Sequence, residues 1–212
     1  MKATAAQATG RLAKKIVEVA IPQRKGEPIQ FSIDEFVKPS TSMEGLAKLR
    51  PAFKKDGSVT AGNSSGLNDG AAATIIASDE AVKKYNLNPL ARIVSSAVVG
   101  VEPSIMGIGP VEATKSALEK AGLTLDQMDI IELNEAFAAQ SIACIRALGL
   151  KDNDPRINPN GGSIALGHPL GVTGARIAYS AALELKLTGK KYALITMCIG
   201  VGQGYAAIIE RV

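Results

Sequence analysis

The chain has 212 residues, of which 46% are hydrophobic, 21% charged and 4% aromatic. This ordinary globular composition excludes a disordered polar chain, a collagen repeat and a small disulfide-rich protein. The net charge of +4 is mild and its basic residues are scattered, so a nucleic-acid-binding face is not expected. No apolar run approaches the roughly 20 residues that span a bilayer, and residues 1–15 lack the apolar stretch of a signal peptide. We therefore expect a cytoplasmic protein that contacts neither nucleic acid nor membrane.

Residues that commonly carry out chemistry are scarce. The chain has one histidine, His168, and two cysteines, Cys144 and Cys198. The two cysteines are too far apart in the sequence to form a metal-ligand motif, so no metal site is expected and both are expected to be free thiols. Any step that needs an imidazole must use His168.

The first 90 residues give weak secondary-structure signals. Residues 1–24 favour an Ala-rich helix. Residues 22–61 are rich in Pro, Gly and Lys and predict a loop region with a short β-like piece at 29–33. The apolar run AAATIIA at 71–77 has the length of a strand.

From residue 91 onward the pattern is typical of a layered α/β domain. Strands are predicted at 91–101, 129–133, 192–197 and 205–212, and helices at 112–121, 136–148 and 174–187. A glycine follows each helix closely, as is common at helix C-termini. This order predicts a mixed sheet in which the last two strands are antiparallel neighbours.

A first motif, NEAFAAQ at 134–140, directly follows the strand predicted at 129–133. Ligands of α/β sheets bind at the carboxyl ends of strands, where Asn134 would lie. Asparagine is also a common helix N-cap, and from its position alone Asn134 is interpreted as the cap of the next helix.

A second motif is the loop 158–174, which contains five glycines and His168. Glycines let a backbone approach a ligand closely, and an imidazole at a helix N-terminus can exchange protons near neutral pH. A histidine that only packs or caps is the alternative. The loop lacks the Gly-Lys-Ser/Thr ending of a phosphate-binding loop, so binding of a nucleoside triphosphate is not supported.

A third motif, CIGVGQG at 198–204, ends a predicted buried strand. Its alternating glycines are similar to a dinucleotide-binding fingerprint, but a strand follows where that fingerprint requires a helix. Cys198 therefore lies beside a turn with free backbone N–H groups. A buried structural cysteine is the alternative.

Taken together, Asn134, His168 and Cys198 can converge on one rim of the sheet. An amide, an imidazole and a thiol in one place would serve proton transfer and the stabilisation of an oxyanion. Acyl-transfer and carbanion chemistry on a thioester have these needs.

These three motifs closely resemble those of the thiolase family, in particular its biosynthetic, acetoacetyl-CoA-forming branch. The segments KLRPAF at 48–53, TAGNSSGLNDGAA at 60–72 and MGIGP at 106–110 are similar to the family's coenzyme A-binding and interdomain segments. The resemblance implies a thiolase-like layered α/β fold with a mixed five-stranded sheet flanked by helices, plus part of an inserted loop domain. It implies a coenzyme A-covering remainder of that loop domain at 1–66, the last piece of the N-terminal half at 67–90 and the C-terminal domain at 91–212.

The resemblance also implies roles for four catalytic residues. Asn134 would hold a water that forms an oxyanion hole with His168, and the Gly200 N–H would serve a second oxyanion hole. Cys198 would be the acid and base, its pKa lowered by His168 and the turn amides.

The substrates implied are acetyl-CoA and acetoacetyl-CoA, without a metal or a covalently bound cofactor. Ser65 and Gly66 would touch the pantetheine of coenzyme A. The residues implied to line its tunnel are Leu49, Phe53, Ala61, Met106 and Phe137.

Family members attack the first acyl-CoA with a cysteine of the N-terminal half, most of which the 212 residues lack. Cys144 is interpreted as a core residue that cannot replace it. We therefore expect a fragment that acts in Claisen condensation or thiolysis together with an N-terminal half or as a homo-oligomer. The alternatives are a catalytically silent subunit that binds coenzyme A or another chain, and a condensing enzyme of the ketoacyl synthase type. The latter would have a histidine in place of Cys198.

Overall fold

The structure is a computed structural model that describes all residues from 1 to 212. The first 90 residues contain only short elements, which are α1 (Lys2–Ala8), β1 (Val19–Ile21), β2 (Ile29–Phe31), α2 (Met43–Ala47) and α3 (Asp79–Lys84). Strands β1 and β2 pair antiparallel with each other alone, and their residues are exposed. This part of the chain is mostly loop, as its Pro and Gly content predicts.

The helix predicted over residues 1–24 is wrong beyond Ala8. Gly10 has a φ of 71°, a left-handed conformation that interrupts a right-handed helix. At Ile16 the backbone becomes extended. Local composition favours a helix here, but the chain instead turns to follow the surface of the larger domain.

The apolar run at 71–77 has strand length but forms no strand. Ile75 and Ile76 are 87% and 76% exposed, and no other strand of the chain lies beside them. Because a strand needs a neighbouring strand to satisfy its backbone groups, an isolated segment of this composition stays irregular.

Four strands form the sheet of the larger domain: β3 (Ala91–Gly100), β4 (Ile130–Leu133), β5 (Tyr192–Ile199) and β6 (Gln203–Arg211). Their order is β3-β6-β5-β4; β4 and β5 are parallel, and the other pairs are antiparallel. The mixed sheet with antiparallel last strands is therefore confirmed.

The sheet has four strands rather than the five expected. The chain beside β4 makes a single parallel bridge between Ile131 and Ile157. It goes no further, because Asn158 has a φ of 43° and Pro159 has no N–H to donate to a ladder. A fifth strand is thus reduced to one bridge at the edge where the loop 158–174 begins.

The helices of this domain are α4 (Gly109–Ala121), α5 (Ala138–Ala147), α6 (Ser163–Leu166) and α7 (Thr173–Thr188). The three predicted helices are confirmed within a few residues at each end. The left-handed glycines Gly122 and Gly189 end α4 and α7, as their positions in the sequence predict. None of the helices combines the length and hydropathy that crossing a membrane requires.

Helices cover both faces of the sheet. Side chains alternate along a strand, so Leu194 of β5 packs into the cluster that contains α4, whereas Ala193 and Ile195 pack into the cluster that contains α7. Central strand β5 is therefore buried on both sides, and its carboxyl end projects from a rigid core.

Helix α1 packs against the loop that carries His168. Ala3 and Ala6 share a small apolar cluster with Leu166 of α6. The Lys2 ammonium also donates to the Ile157 carbonyl oxygen at 2.6 Å. The N-terminal residues thus pack against the outer side of the loop 158–174.

The start of α4 and the start of β6 touch through two glycines. A methyl group on Gly204 would collide with the Gly109 carbonyl group, and one on Gly109 would lie 2.8 Å from the Gly204 nitrogen. Only glycine at both positions allows this approach, which holds the turn after Cys198 against α4.

We predict that Gly204→Ala destabilises the protein by about 1–3 kcal/mol, the cost typical of overpacking. Gly100→Ala is the matched control, since Gly100 lies in neighbouring strand β3 and no atom lies within 4 Å of its added methyl group. Urea unfolding followed by circular dichroism measures both. Equal stability losses would contradict the close glycine contact.

Candidate functional site

Asn134 extends the pairing of β4 with β5 by one residue. Its backbone N–H donates to the Thr196 carbonyl oxygen at 2.9 Å, and the residue is 1% exposed. Its interpretation as a helix cap is wrong, because α5 begins later and Phe137 occupies the cap position. The amide side chain is therefore free for another role.

Asn158 joins the start of the loop 158–174 to the end of β4. Its side chain accepts from the Leu133 N–H and donates to the Leu133 carbonyl oxygen, both at 2.9 Å, and it also donates to Glu135 Oε1 at 2.9 Å. An amide side chain here replaces the backbone ladder of a fifth strand. The first and second motifs are thus held together next to Asn134.

The His168 ring lies beside the Asn134 amide. Asn134 Nδ2 is 3.4 Å from His168 Nε2, and His168 Nδ1 is 2.7 Å from Thr173 Oγ1. Thr173 Oγ1 also lies 3.1 Å from the Pro169 carbonyl oxygen. Burial, followed by the charge of Arg176, lowers the pKa of His168 below its usual value, so the ring is neutral at neutral pH.

The segment 63–68 runs between these motifs, about 70 to 100 residues away in sequence. Ser65 N–H donates to the Ala136 carbonyl oxygen at 3.0 Å, and His168 N–H donates to the Gly66 carbonyl oxygen at 3.1 Å. Two predicted coenzyme A-binding residues, Ser65 and Gly66, therefore lie next to the Asn134 and His168 motifs.

A shallow groove of about 240 Å³ opens at this point. Its lining residues are Leu67, Asn68, Asp69, His168 and Leu170. Asn68 also accepts from the His168 N–H through Oδ1 at 3.2 Å. The imidazole is thus reachable from solvent although most of it is buried.

Cys198 is the last residue but one of β5 and lies on the same rim as Asn134. Thr196, two residues earlier on β5, accepts from the Asn134 N–H. The thiol is 7% exposed, and burial raises its pKa above the usual value. The expectation that His168 and the turn amides lower this pKa is wrong, because burial outweighs the one lowering contribution, a hydrogen bond to the backbone of Cys198 itself. Cys198 is therefore protonated at neutral pH.

Gly200 presents an unused backbone donor beyond Cys198. Its N–H donates no hydrogen bond within the chain, and nothing lies within 4 Å of the position of an added methyl group. The turn is shaped by Val201 and Gly202, whose φ angles are 67° and 90°. A free N–H in an open turn is suited to an anionic oxygen.

Cys144 is a core residue, as predicted. It is 0% exposed, and its thiol lies 3.3 Å from the Gly107 carbonyl oxygen and 3.5 Å from Gln140 Nε2. Burial raises the pKa of this thiol to about 11. A thiol in this environment is inert as a nucleophile.

The five residues expected to line the coenzyme A tunnel are only partly brought together. Phe53 and Phe137 meet edge to face with ring centroids 6.0 Å apart. Leu49 packs on Gly62, next to Ala61. Met106 is half-buried at another place, on the 3₁₀ segment before α4. The aromatic pair thus bridges the loop region and the Asn134 motif.

A group of buried charges lies behind the site. Glu132 of β4 is 4% exposed, and burial raises the pKa of its carboxyl to about 7. Burial likewise lowers the pKa of Lys15 to about 8. Arg176 of α7 is attracted to Glu132 and donates to Ser163. No group of three or more His, Cys, Asp or Glu side chains is arranged to hold a metal ion.

Several polar residues of this site are not evident from the sequence. They are Asn68, Asn158, Ser163, Thr173 and Arg176. Four of them lie inside the motifs and Arg176 lies two residues beyond the second one, but apart from Thr173 they contact partners that are distant in sequence. The one local signal was Asn158, since asparagine tolerates the left-handed conformation better than most residues.

We predict that Glu132 gives the protein a stability that falls as pH rises from about 4.5 to about 7. The folded state holds the Glu132 proton up to a higher pH than the unfolded state, whose pKa is near 4.5, so stability present below pH 4.5 is lost through pH 7. The slope is at most about 1.4 kcal/mol per pH unit.

Urea unfolding between pH 4.5 and 8 tests this with Glu132→Gln, which should flatten the fall. Glu112→Gln is the control, since Glu112 is exposed on α4 and pairs only with Lys115. An unchanged pH profile in Glu132→Gln would refute the assignment.

Comparison with known proteins agrees with this geometry. Residues 87–211 match the thiolase C-terminal domain, and residues 1–80 match the thiolase N-terminal domain. The chain is 62% identical to a beta-ketoadipyl-CoA thiolase of Acinetobacter baylyi over 211 residues, covering 100% of the chain and 53% of that protein. It is 51% identical to an acetyl-CoA acetyltransferase of Chromobacterium violaceum, covering 99% of the chain and 53% of that protein.

Solved structures give the same result. The crystal structure of human mitochondrial 3-ketoacyl-CoA thiolase superposes with a TM-score of 0.94 at 50% identity, covering 100% of this chain and 53% of that one. The Bacillus anthracis acetyl-CoA acetyltransferase superposes with a TM-score of 0.95 at 45% identity, with the same coverage. The chain spans about half the length of the relatives it matches. The matched domains, the layered α/β fold and the motifs around Asn134, His168 and Cys198 together mean that the chain belongs to the thiolase family.

Proposed function

We propose that this chain supplies the proton-transfer and oxyanion-binding half of a thiolase site. The reaction is the cleavage of a 3-oxoacyl-CoA by coenzyme A, or in reverse the Claisen condensation of two acyl-CoA molecules. One observation carries the proposal: Asn134 Nδ2 and His168 Nε2 lie 3.4 Å apart beside a groove, next to Ser65 and Gly66.

In thiolysis, a cysteine thiolate attacks the 3-oxo carbon, and the bond between C2 and C3 breaks. The electron pair of that bond becomes the enolate of acetyl-CoA, whose oxygen is bound by His168 and by Asn134 through a water. The Cys198 thiol gives its proton to C2 of the enolate. The thiol of a second coenzyme A then takes the acyl group from the cysteine and returns a proton to Cys198.

The raised pKa of Cys198 supports this order of events. A thiol that is protonated at rest can act as the acid of thiolysis, whereas a depressed pKa would favour a nucleophile. The free Gly200 N–H is suited to the second oxyanion, which forms on the acyl-cysteine.

His168 must donate from Nε2 to stabilise an oxyanion. The Thr173 hydroxyl allows this, because it can donate to Nδ1 and leave the ring proton on Nε2. When the hydroxyl donates instead to the Pro169 carbonyl oxygen, the ring proton moves to Nδ1. We assign Thr173 the part of keeping both tautomers accessible.

The acyl-carrying cysteine must come from another polypeptide segment, because Cys144 is buried in the core. We infer that an N-terminal thiolase segment provides it. The exposed apolar run at 71–77 supports this inference, since it offers unpaired backbone and apolar side chains to a missing sheet. On this view 1–66 belongs to the coenzyme A-covering loop domain, 67–90 to the N-terminal half and 91–212 to the C-terminal half.

As the thioester substrate we propose 3-oxoadipyl-CoA, with acetoacetyl-CoA as the second candidate. The first is supported by the 62% identity to a protein named beta-ketoadipyl-CoA thiolase, and the second by the motifs and by the 51% identity to an acetyl-CoA acetyltransferase. Comparing kcat/KM for the two thioesters decides between them. A ratio that favours acetoacetyl-CoA would overturn the first choice.

The reaction is tested by combining the chain with the separately expressed N-terminal half of the Acinetobacter baylyi relative. We expect a loss of 3-oxoacyl-CoA that depends on both chains and on coenzyme A. The decrease in the absorbance of its enolate measures this loss. Lack of turnover by a stably formed complex would instead favour a catalytically silent subunit. Turnover by the 212-residue chain alone would contradict the need for a cysteine from another polypeptide segment.

In the assembled enzyme, Cys198→Ser should lower kcat by about 10²- to 10⁴-fold, since it removes a proton donor and acceptor. Cys144→Ser is the matched control and should leave kcat largely intact, because that thiol lies in the core. Thermal unfolding of both variants separates catalysis from stability. Equal losses of kcat at equal stability would show that Cys198 has no special role.

A further inference from the structure

The Asn134 amide has two ends, and only its NH₂ end can donate to an oxyanion. Because the residue is 1% exposed, neighbouring groups rather than solvent decide which end faces the site. Its Oδ1 lies 2.5 Å from Ser163 Oγ, and its Nδ2 faces His168. The identity of the donor at Ser163 is therefore important.

Arg176 settles the direction of the hydrogen bonds. Its Nη2 lies 2.9 Å from Ser163 Oγ, and a guanidinium can only donate. Ser163 Oγ accepts from Arg176, which leaves the serine proton to donate to Asn134 Oδ1. Ser163 is 1% exposed, so an overturned amide would leave this proton without an acceptor, a state that buried groups avoid.

Arg176 is itself held in place. Its Nη2 also donates to the Gly167 carbonyl oxygen at 3.3 Å, and the buried Glu132 carboxylate attracts its charge from β4. The cation is thus anchored to the loop that carries His168 and to the strand that carries Asn134. Its Nε has no hydrogen-bond partner, so the guanidinium is held through Nη2.

We propose that Ser163 and Arg176 are positioning residues that direct the NH₂ end of Asn134 into the site beside His168. Arg176 donates to Ser163 Oγ, and the Ser163 hydroxyl donates to Asn134 Oδ1. The catalytic consequence rests on the proposed oxyanion role of Asn134, but the orientation of the amide is a property of this chain alone. The two can therefore be tested separately.

The first test uses the titration of His168, the only histidine, by ¹⁵N nuclear magnetic resonance of the 212-residue chain. In Ser163→Ala the amide can turn its oxygen towards Nε2, where it accepts from the imidazolium. The pKa of His168 should therefore rise. The cation that acts on the ring, Arg176 from α7, and the carboxyl group that lines the same groove, Asp69, are retained in this variant.

Ser180→Ala is the matched control. Ser180 is also buried on α7 and also accepts from a cation, Lys15 Nζ at 2.9 Å, but it does not touch Asn134. It should leave the pKa of His168 unchanged, and Ser163→Thr, which keeps a hydroxyl, should restore it. If Ser163→Ala does not fold, Ser163→Cys replaces it, because a thiol is a weak donor.

The second test measures activity in the assembled enzyme. Ser163→Ala should lower kcat by about tenfold to 10²-fold, less than the loss expected on removing an oxyanion donor outright, with little change in KM. Ser163→Thr should recover most of kcat, and Ser180→Ala should keep it.

The outcomes separate the two proposals. If the assembled wild-type enzyme shows no turnover while Ser163→Ala still raises the pKa of His168, the proposed function fails and the orientation of Asn134 stands. If Ser163→Ala folds with an unchanged pKa of His168, the positioning role is overturned whatever happens to kcat. A raised pKa of His168 with an unchanged kcat in an active enzyme would support the orientation of Asn134 and overturn its catalytic consequence.

Discussion

The pairing of β4 with β5 is the contact on which the site depends. Leu133 stands opposite Thr196, and the Asn134 N–H continues the ladder to the Thr196 carbonyl oxygen. Two residues of a strand span about 6.6 Å, so this register sets how far Cys198 lies along the rim from Asn134. A slip of one residue would turn the side chains of β4 to the opposite face of the sheet. The apolar clusters on both faces, which fix the register, thereby fix the spacing of Asn134 and Cys198 along the rim.

Beyond that ladder, a side chain rather than a backbone makes the hydrogen bonds at the edge of the sheet. The Asn158 side chain makes the hydrogen bonds to Leu133 that a fifth strand would make. The chain can therefore leave the sheet and form the loop that carries His168. A continued strand would have kept residues 159–168 along the sheet edge. Both groups of the Asn158 amide are satisfied within the protein, so this side chain supplies the hydrogen bonds that Leu133 would otherwise make to a neighbouring strand.

The sequence predicted the elements whose signals are local. Helix α7 was readable because its apolar spacing and the closing Gly189 lie within one stretch of chain. The segment at 71–77 was not readable, because an apolar run becomes a strand only beside a partner. Asn134 failed as a predicted cap for a similar reason: its decisive contacts are to Thr196, Ser163 and His168, all remote in sequence. Arg176 and Ser163 carry no local mark of their hydrogen bond, so only folding reveals it.

The two cysteines show why burial alone does not decide reactivity. Burial raises the pKa of both thiols, yet Cys144 is sealed between Gln140 and Gly107, whereas Cys198 ends a strand beside the open Gly200 N–H. A thiol that donates a proton must be protonated at rest and must lie where a substrate can reach it. The turn beside Cys198 is open at Gly200, whereas Cys144 is fully enclosed. A raised pKa is therefore compatible with catalysis when the thiol is the acid, and it argues against catalysis only for a thiol that must attack.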